Sequence, residues 1–123
     1  MPDSEADARG AWAETLVCAD LEARGLVLID RNFRRKCGEL DLIMRDAGRV
    51  VFVEVRYRAS ERWGGGLESV TPAKRRRLVR AAKAFLLARP DLKRLPCRFD
   101  VVAVTGSSEN PGIRWVRGAF DQG

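Results

Sequence analysis

The sequence predicts an α/β domain in which helices pack on a mixed β-sheet. Three observations carry this reading. Two segments, residues 6–24 and 71–89, place apolar residues at helical spacing. Residues 50–58 form a run rich in β-branched side chains, the signature of a strand. The elements also fall in the order α-β-β-β-α-β-β, which fits helices laid on a mixed sheet and not a regular βαβ repeat.

Taken in order, residues 1–5 are polar and acidic and are expected to fray, as are residues 121–123. The first helix spans residues 6–24 and Gly25 stops it. Residues 26–30 read as a short apolar strand, and Arg31-Asn32-Phe33-Arg34-Arg35-Lys36 as a basic connector. Residues 38–45 are a second strand candidate. The tight turn Asp46-Ala47-Gly48 joins it to the strand at 50–58, so the two are expected to form an antiparallel hairpin. Residues 59–69 form a polar loop containing Gly64-Gly65-Gly66. No Lys-Ser/Thr follows, so a mobile loop is expected and not a phosphate cradle of the P-loop kind. Thr71 caps the second helix with Pro72 in its first turn, and the helix ends before Pro90. Strands at 97–105 and 113–117 complete the chain.

A length of 123 residues suits one domain, and no repeat or interior linker divides it. The 23 Lys and Arg against 17 Asp and Glu give a net charge of +6. Such a balance favours polyanions, nucleic acid before an anionic membrane, although a merely basic soluble protein has the same balance. There is no histidine, which excludes Ser-His-Asp and Cys-His catalysis and any His-ligated metal. Cys18, Cys37 and Cys97 form no CxxC pair, so neither a zinc knuckle nor a disulfide framework is indicated, and a reducing cytoplasmic setting is expected. The polar, acidic residues 1–5 are not expected to act as a signal peptide, and no apolar run approaches the ~20 residues of a membrane span. Any chemistry must come from carboxylates, Lys, Arg, hydroxyls or a hard metal.

Alternation along a strand sorts its side chains onto two faces. In Val51-Phe52-Val53-Glu54-Val55-Arg56-Tyr57-Arg58, one face carries Val51, Val53, Val55 and Tyr57, the core face. The other carries Phe52, Glu54, Arg56 and Arg58. In the preceding strand, Glu39, Asp41 and Ile43 share a face, and Leu40, Leu42 and Met44 the opposite one. Pairing across the 46–48 turn brings Asp41 and Glu54 together. Two carboxylates so placed repel each other unless a cation neutralises them, and hard oxygen donors suit Mg²⁺ or Mn²⁺. The same pattern permits plain salt bridges, Glu54 with Arg56 or Arg58 and Asp41 with a connector arginine.

On the first helix, Glu14 falls on a stripe with Ala11, Val17, Cys18 and Leu21, so it points toward protein, where a buried carboxylate needs a partner. A metal-bound water or an ordinary ion pair would serve. On the second helix, Lys74 shares a stripe with Leu78, Ala81 and Phe85 and leans inward, whereas Arg76, Arg80 and Lys83 lie on the opposite, solvated face.

The segments Gly38-Glu39-Leu40-Asp41-Leu42-Ile43 and Val51-Phe52-Val53-Glu54-Val55-Arg56 resemble those of the YraN-like family of small, poorly characterised bacterial proteins. The resemblance extends through Gly10-Ala11-Trp12-Ala13-Glu14, Arg31-Asn32-Phe33-Arg34, Val70-Thr71-Pro72-Ala73-Lys74, Cys97-Arg98-Phe99-Asp100-Val101-Val102 and Ala119-Phe120, nearly the whole chain. That family is placed in the PD-(D/E)XK endonuclease-like superfamily, near archaeal Holliday-junction resolvases. The resemblance implies a restriction-endonuclease-like core of about five strands flanked by helices. It implies that Asp41 and Glu54 are metal ligands, that Glu14 completes the site directly or through water, and that Mg²⁺ or Mn²⁺ is the cofactor. Related resolvases are dimers, so a homodimer is implied by analogy.

Arg56 stands where the superfamily carries lysine. Lysine sheds a proton when buried, and arginine does not. Lys74, one helix away, is then the candidate replacement. The expected function is a metal-dependent nuclease acting on nucleic acid, DNA above all. Arg31, Arg34, Arg35, Arg58, Arg75, Arg76 and Arg77 would hold backbone phosphates without reading bases. The alternative is a non-catalytic module that keeps the fold and binds nucleic acid or a repair partner.

Overall fold

The computed structural model describes residues 5–58 and 70–120. Glu5 is already helical, and the rest of the ends expected to fray, with the glycine-rich loop at 59–69, lies outside the described residues. Seven elements follow in the expected order: α1 (Glu5–Ala23), β1 (Val27–Arg35), β2 (Gly38–Asp46), β3 (Arg49–Arg58), α2 (Pro72–Leu87), β4 (Cys97–Gly106) and β5 (Pro111–Phe120). The strands form one sheet in chain order. Neighbours are antiparallel except β3 and β4, which run parallel because α2 crosses between them.

Local chemistry sets the boundaries. Helix α1 ends where Gly25, at φ +99°, turns the chain. Its N–H donates to the Glu22 carbonyl and the Leu26 N–H to the Leu21 carbonyl, the bond pair of a Schellman cap. At the start of α2 the Thr71 hydroxyl accepts from the Lys74 N–H at 3.2 Å. The turn between β2 and β3 places Ala47 at φ +56°.

The sheet separates two cores. On one side α1 contributes Ala13, Val17, Cys18 and Leu21, which meet Leu42, Met44, Val51, Val53, Val102 and Val104. On the other, α2 contributes Leu78, Ala81, Ala82 and Phe85, which meet Phe33, Leu40, Ile43, Val50, Phe52, Phe99 and Val101. Strand β3 therefore has two core faces over its first half, where the sequence predicted one. Phe52 stacks on Phe99, with ring centroids 5.3 Å apart.

Two predicted elements need correction. The basic connector at 31–36 is strand: β1 runs on to Arg35, because Phe33 is planted in the α2 core edge-on to Phe85 at 5.3 Å and the segment pairs with β2 down to Gly38. The short last strand spans ten residues, and the predicted Ile113–Arg117 segment is only its middle. Ala11, expected on the inward stripe of α1, is exposed, and Ala13 takes the buried place. No described helix is long and apolar enough to cross a membrane.

Candidate metal and phosphate site

The alternation that defines strand faces breaks on β1 and β2 at the same level. On β1, Arg31 reaches α1, where its guanidinium donates to Thr15 at 3.4 Å, yet Phe33 two residues on is buried under α2. The residue between them, Asn32, sits at φ +56°, a left-handed conformation that asparagine tolerates better than most. Across the ladder, Leu40 packs with the α2 core and Leu42 with the α1 core, with Asp41 between. Leu40 therefore does not share a face with Leu42 and Met44, as simple alternation predicted.

This paired reversal opens the sheet. The ladder between β2 and β3 runs from the turn only as far as Leu42 opposite Val53. Beyond it the Asp41 carboxylate takes the place of a backbone acceptor, and the Val55 N–H donates to its Oδ2 at 2.9 Å. Strand β3 continues on β4 alone through Arg58. The fork becomes a cleft of about 250 Å³ lined by Arg35, Gly38, Glu39, Asp41, Glu54, Lys74, Arg77 and Leu78. Gly38 lets β2 lie close to α2, since a Cβ there would stand 2.6 Å from the Arg77 carbonyl oxygen.

Inside the cleft the carboxyls of Asp41 and Glu54 hydrogen-bond to each other. Burial first, then the Glu54 charge and that hydrogen bond, push the Asp41 carboxyl up to about 9. Glu54 is buried, and its Oε2 receives Lys74 Nζ at 2.9 Å and Arg56 at 3.4 Å. Lys74 thus projects inward as its helical position predicted. Both salt-bridge expectations are answered: Glu54 pairs with Arg56 and also with Lys74, whereas among the described residues Asp41 makes its polar contacts with Val55 and Glu54 and not with a connector arginine.

Glu14 approaches from the α1 side. It is half-buried, lies 3.9 Å from Arg31, and burial raises its carboxyl above the usual range against the pull of Arg31 and Arg34. The charges of Glu54 and Glu39 also act on it. Among the described residues no three His, Cys, Asp or Glu side chains converge as a metal cluster, so the close donor set is Asp41 and Glu54. Two crowded hard carboxylates, whose mutual repulsion a cation would relieve, fit Mg²⁺ or Mn²⁺, which commonly take one or two protein carboxylates and fill the remaining positions with water and phosphate oxygens.

The remaining predicted residues divide. Arg35 and Arg77 line the cleft. Arg34 pairs at the surface with Glu39 at 3.3 Å. Arg31 is occupied with Glu14 and Thr15. Arg75 lies over the Phe120 ring and donates to the Val70 carbonyl, tying α2 to the end of β5. Arg58 and Arg76 are exposed.

Sequence reasoning missed a second polar cluster near the start of β4, where Asp100 lies opposite Val53. Asp100 is fully buried and accepts from Arg98, from the Trp115 indole N–H at 2.9 Å and from the Gly118 N–H at 2.9 Å. Arg98 also reaches Asp46 at 3.0 Å. The signal was present: a lone aspartate inside an apolar strand must be buried with partners. Its role is structural, holding the bulge where β5 leaves its register with β4.

The profile of the uncharacterised protein family UPF0102 matches residues 13–104, a span that takes in the fork and both carboxylates. The chain belongs to this family, the YraN-like group. A UPF0102 protein of Stutzerimonas stutzeri is 47% identical over 118 residues, covering 96% of this chain and 98% of its own. One from Xanthomonas campestris pv. campestris is 54% identical over 112 residues, 91% and 90% of the two chains. Another from Nitrosomonas europaea is 45% identical over 119 residues, 97% and 98%. UPF0102 membership is consistent with the endonuclease-like superfamily placement, and the five-stranded mixed sheet flanked by two helices is the expected architecture.

Proposed function

We propose that this UPF0102 protein is a divalent-metal-dependent nuclease that hydrolyses nucleic-acid phosphodiester bonds, with DNA as its substrate. The observation that carries the reading is the fork: two carboxyls, Asp41 and Glu54, held together in a cleft whose other polar walls include Lys74, Arg35 and Arg77. Asp41 and Glu54 would hold Mg²⁺ or Mn²⁺, with Glu14 contributing through a water. The metal, when bound, supplies Lewis-acid polarisation of the phosphodiester and a more acidic water. The chain's own residues do the rest. The Val55 N–H fixes one Asp41 oxygen. Lys74, on Glu54, offers a positive charge to the phosphate in place of the superfamily's lysine, whose position Arg56 takes. Arg35 and Arg77 orient the strand from the cleft rim. The three scattered cysteines, with no CxxC pair, agree with a reducing, cytoplasmic setting.

One observation favours the second reading, a non-catalytic nucleic-acid-binding or repair-partner module. Glu54 already carries two cations on a single oxygen, a neutralised arrangement that needs no metal. Branched, single-stranded and duplex DNA incubated with the protein in Mg²⁺ and in Mn²⁺ separates the two. The nuclease reading expects cleavage of at least one substrate, reduced about 100-fold or more in Asp41→Ala. Wild type and Asp41→Ala equally inert on all three would leave the binding module.

A further inference from the structure

The net charge of this protein has one address. Helix α2 carries Lys74, Arg75, Arg76, Arg77, Arg80 and Lys83 and no acidic residue. Setting those six aside from the 23 Lys and Arg of the chain leaves 17, equal to its 17 Asp and Glu. The rest of the molecule is balanced, and the whole +6 lies along one helix on one side of the sheet. The helix buries Leu78, Ala81, Ala82 and Phe85 against the sheet, which leaves Arg76, Arg80 and Lys83 exposed on its outward side at spacings of four and three residues. At its N-terminal end Lys74 and Arg77 enter the cleft.

We infer that the outward face of α2 is a phosphate track, which carries the nucleic-acid backbone away from the cleft and sets the direction in which a bound strand runs. The direction rests on the reading of the cleft as a phosphodiester site; the binding surface does not. Arg76 to Lys83 spans about 10 Å at the helical rise. One DNA strand advances roughly 3.4 Å per phosphate along the duplex axis while winding around it, so its phosphates are spaced more widely than that rise and the row faces about two to three of them. Nucleic acid is favoured over an anionic membrane because the apolar stripe of α2 is buried in the core. A helix lying on a bilayer would instead have to present that stripe to lipid. Side chains this long and mobile suit phosphates, which need charge and not a shaped pocket.

The test is fluorescence anisotropy with a labelled duplex of about 20 base pairs in EDTA, titrated from about 50 to about 200 mM salt. The triple variant Arg76→Gln, Arg80→Gln, Lys83→Gln is compared with a control that loses the same charge elsewhere, Lys93→Gln, Arg94→Gln, Arg114→Gln, all three exposed. At about 0.9 per phosphate contact, the α2 triple is expected to flatten the slope of log affinity against log salt by roughly 2–3 and to weaken binding at least about tenfold at the low-salt end. The control should shift binding less than about twofold. Equal weakening by the two triples would assign the effect to net charge and overturn the track, as would an α2 triple that binds like wild type. Firmer retention on phosphatidylserine vesicles than on the duplex, lost in the α2 triple, would also overturn it. DNA that binds through α2 but is never cleaved in Mn²⁺ upholds this surface and removes only the nuclease reading.

Discussion

Replacing Asp41 with asparagine tests the physical state of the fork without any nucleic acid. In the fold the Asp41 carboxyl is held up to about 9 by burial and by Glu54, whereas an unfolded chain releases that proton near the ordinary 3.8. The sign follows from linkage. The folded state keeps a proton that the unfolded state has lost, so this group's contribution to stability is complete below about pH 4. It then declines as pH rises toward about 9. One proton difference is worth about 1.4 kcal/mol per pH unit, so the loss between about pH 5 and about pH 8 has a ceiling of about 4 kcal/mol. The coupling to Glu54 and residual structure in the unfolded chain bring the realised loss below that ceiling, to about 1–3 kcal/mol. An asparagine side chain at this position imitates the protonated form: its Oδ1 still accepts from Val55, and its Nδ2 donates to Glu54. Urea unfolding in EDTA at those two pH values should therefore show a loss in wild type that is much smaller in Asp41→Asn, and the variant should be the more stable of the two at the higher pH. Millimolar Mn²⁺ should restore wild type at the higher pH and leave the variant nearly unchanged, because a cation then replaces the proton. Identical pH slopes for the two proteins, or an asparagine variant that is less stable at the higher pH without metal, would refute the account of two carboxyls crowded into one cleft.

Lys74→Met removes the shorter of the two cation contacts to buried Glu54, and Arg56 remains at 3.4 Å. A loss of about 1–3 kcal/mol in urea unfolding is expected, with DNA cleavage down about 100-fold; cleavage at the wild-type rate would remove Lys74 from the mechanism. Asp100→Ala leaves Arg98, the Trp115 indole and the Gly118 N–H without their common acceptor, and should cost about 3–5 kcal/mol with altered Trp115 fluorescence; a near-neutral variant would show that the bulge of β5 holds itself. Asn32→Gly keeps the left-handed backbone and Asn32→Val opposes it, so hydrogen exchange of the Val55 amide should stay slow in the first and quicken at least about tenfold in the second. Equal protection in both would separate the Asn32 conformation from the opening of the fork.

Much of the fold was legible because it depends on short-range chemistry. Gly25, Thr71 with Pro72 and the 46–48 turn are local signals, and each ended or began an element where expected. The inward lean of Lys74 followed from a 3.6-residue period that the helix obeys. The candidate site was legible in its members, Asp41 and Glu54, but not in its construction. Alternation predicted that Asp41 would share a face with Ile43, with Leu40 on the other face beside Leu42. The reversal at Asn32 and Asp41 breaks that rule, and no pattern on one strand announces a reversal that needs two strands at the same level. The strand at 31–35 resembles a connector in sequence for a similar reason. Its arginines look like loop residues until β2 supplies the pairing and Phe85 supplies a place for Phe33.

By itself, then, the sequence determined the element order, the family, the absence of histidine chemistry and the concentration of charge on α2. Each of these is a property of composition, periodicity or likeness along the chain. Only the tertiary structure decided that β2 and β3 part company at Leu42, that Glu54 meets Lys74 and not Arg58, and that burial beside Glu54 raises the Asp41 carboxyl. Those facts depend on which groups burial brings within hydrogen-bonding distance, and on how much water is left between them, and neither is written in any one segment of the chain.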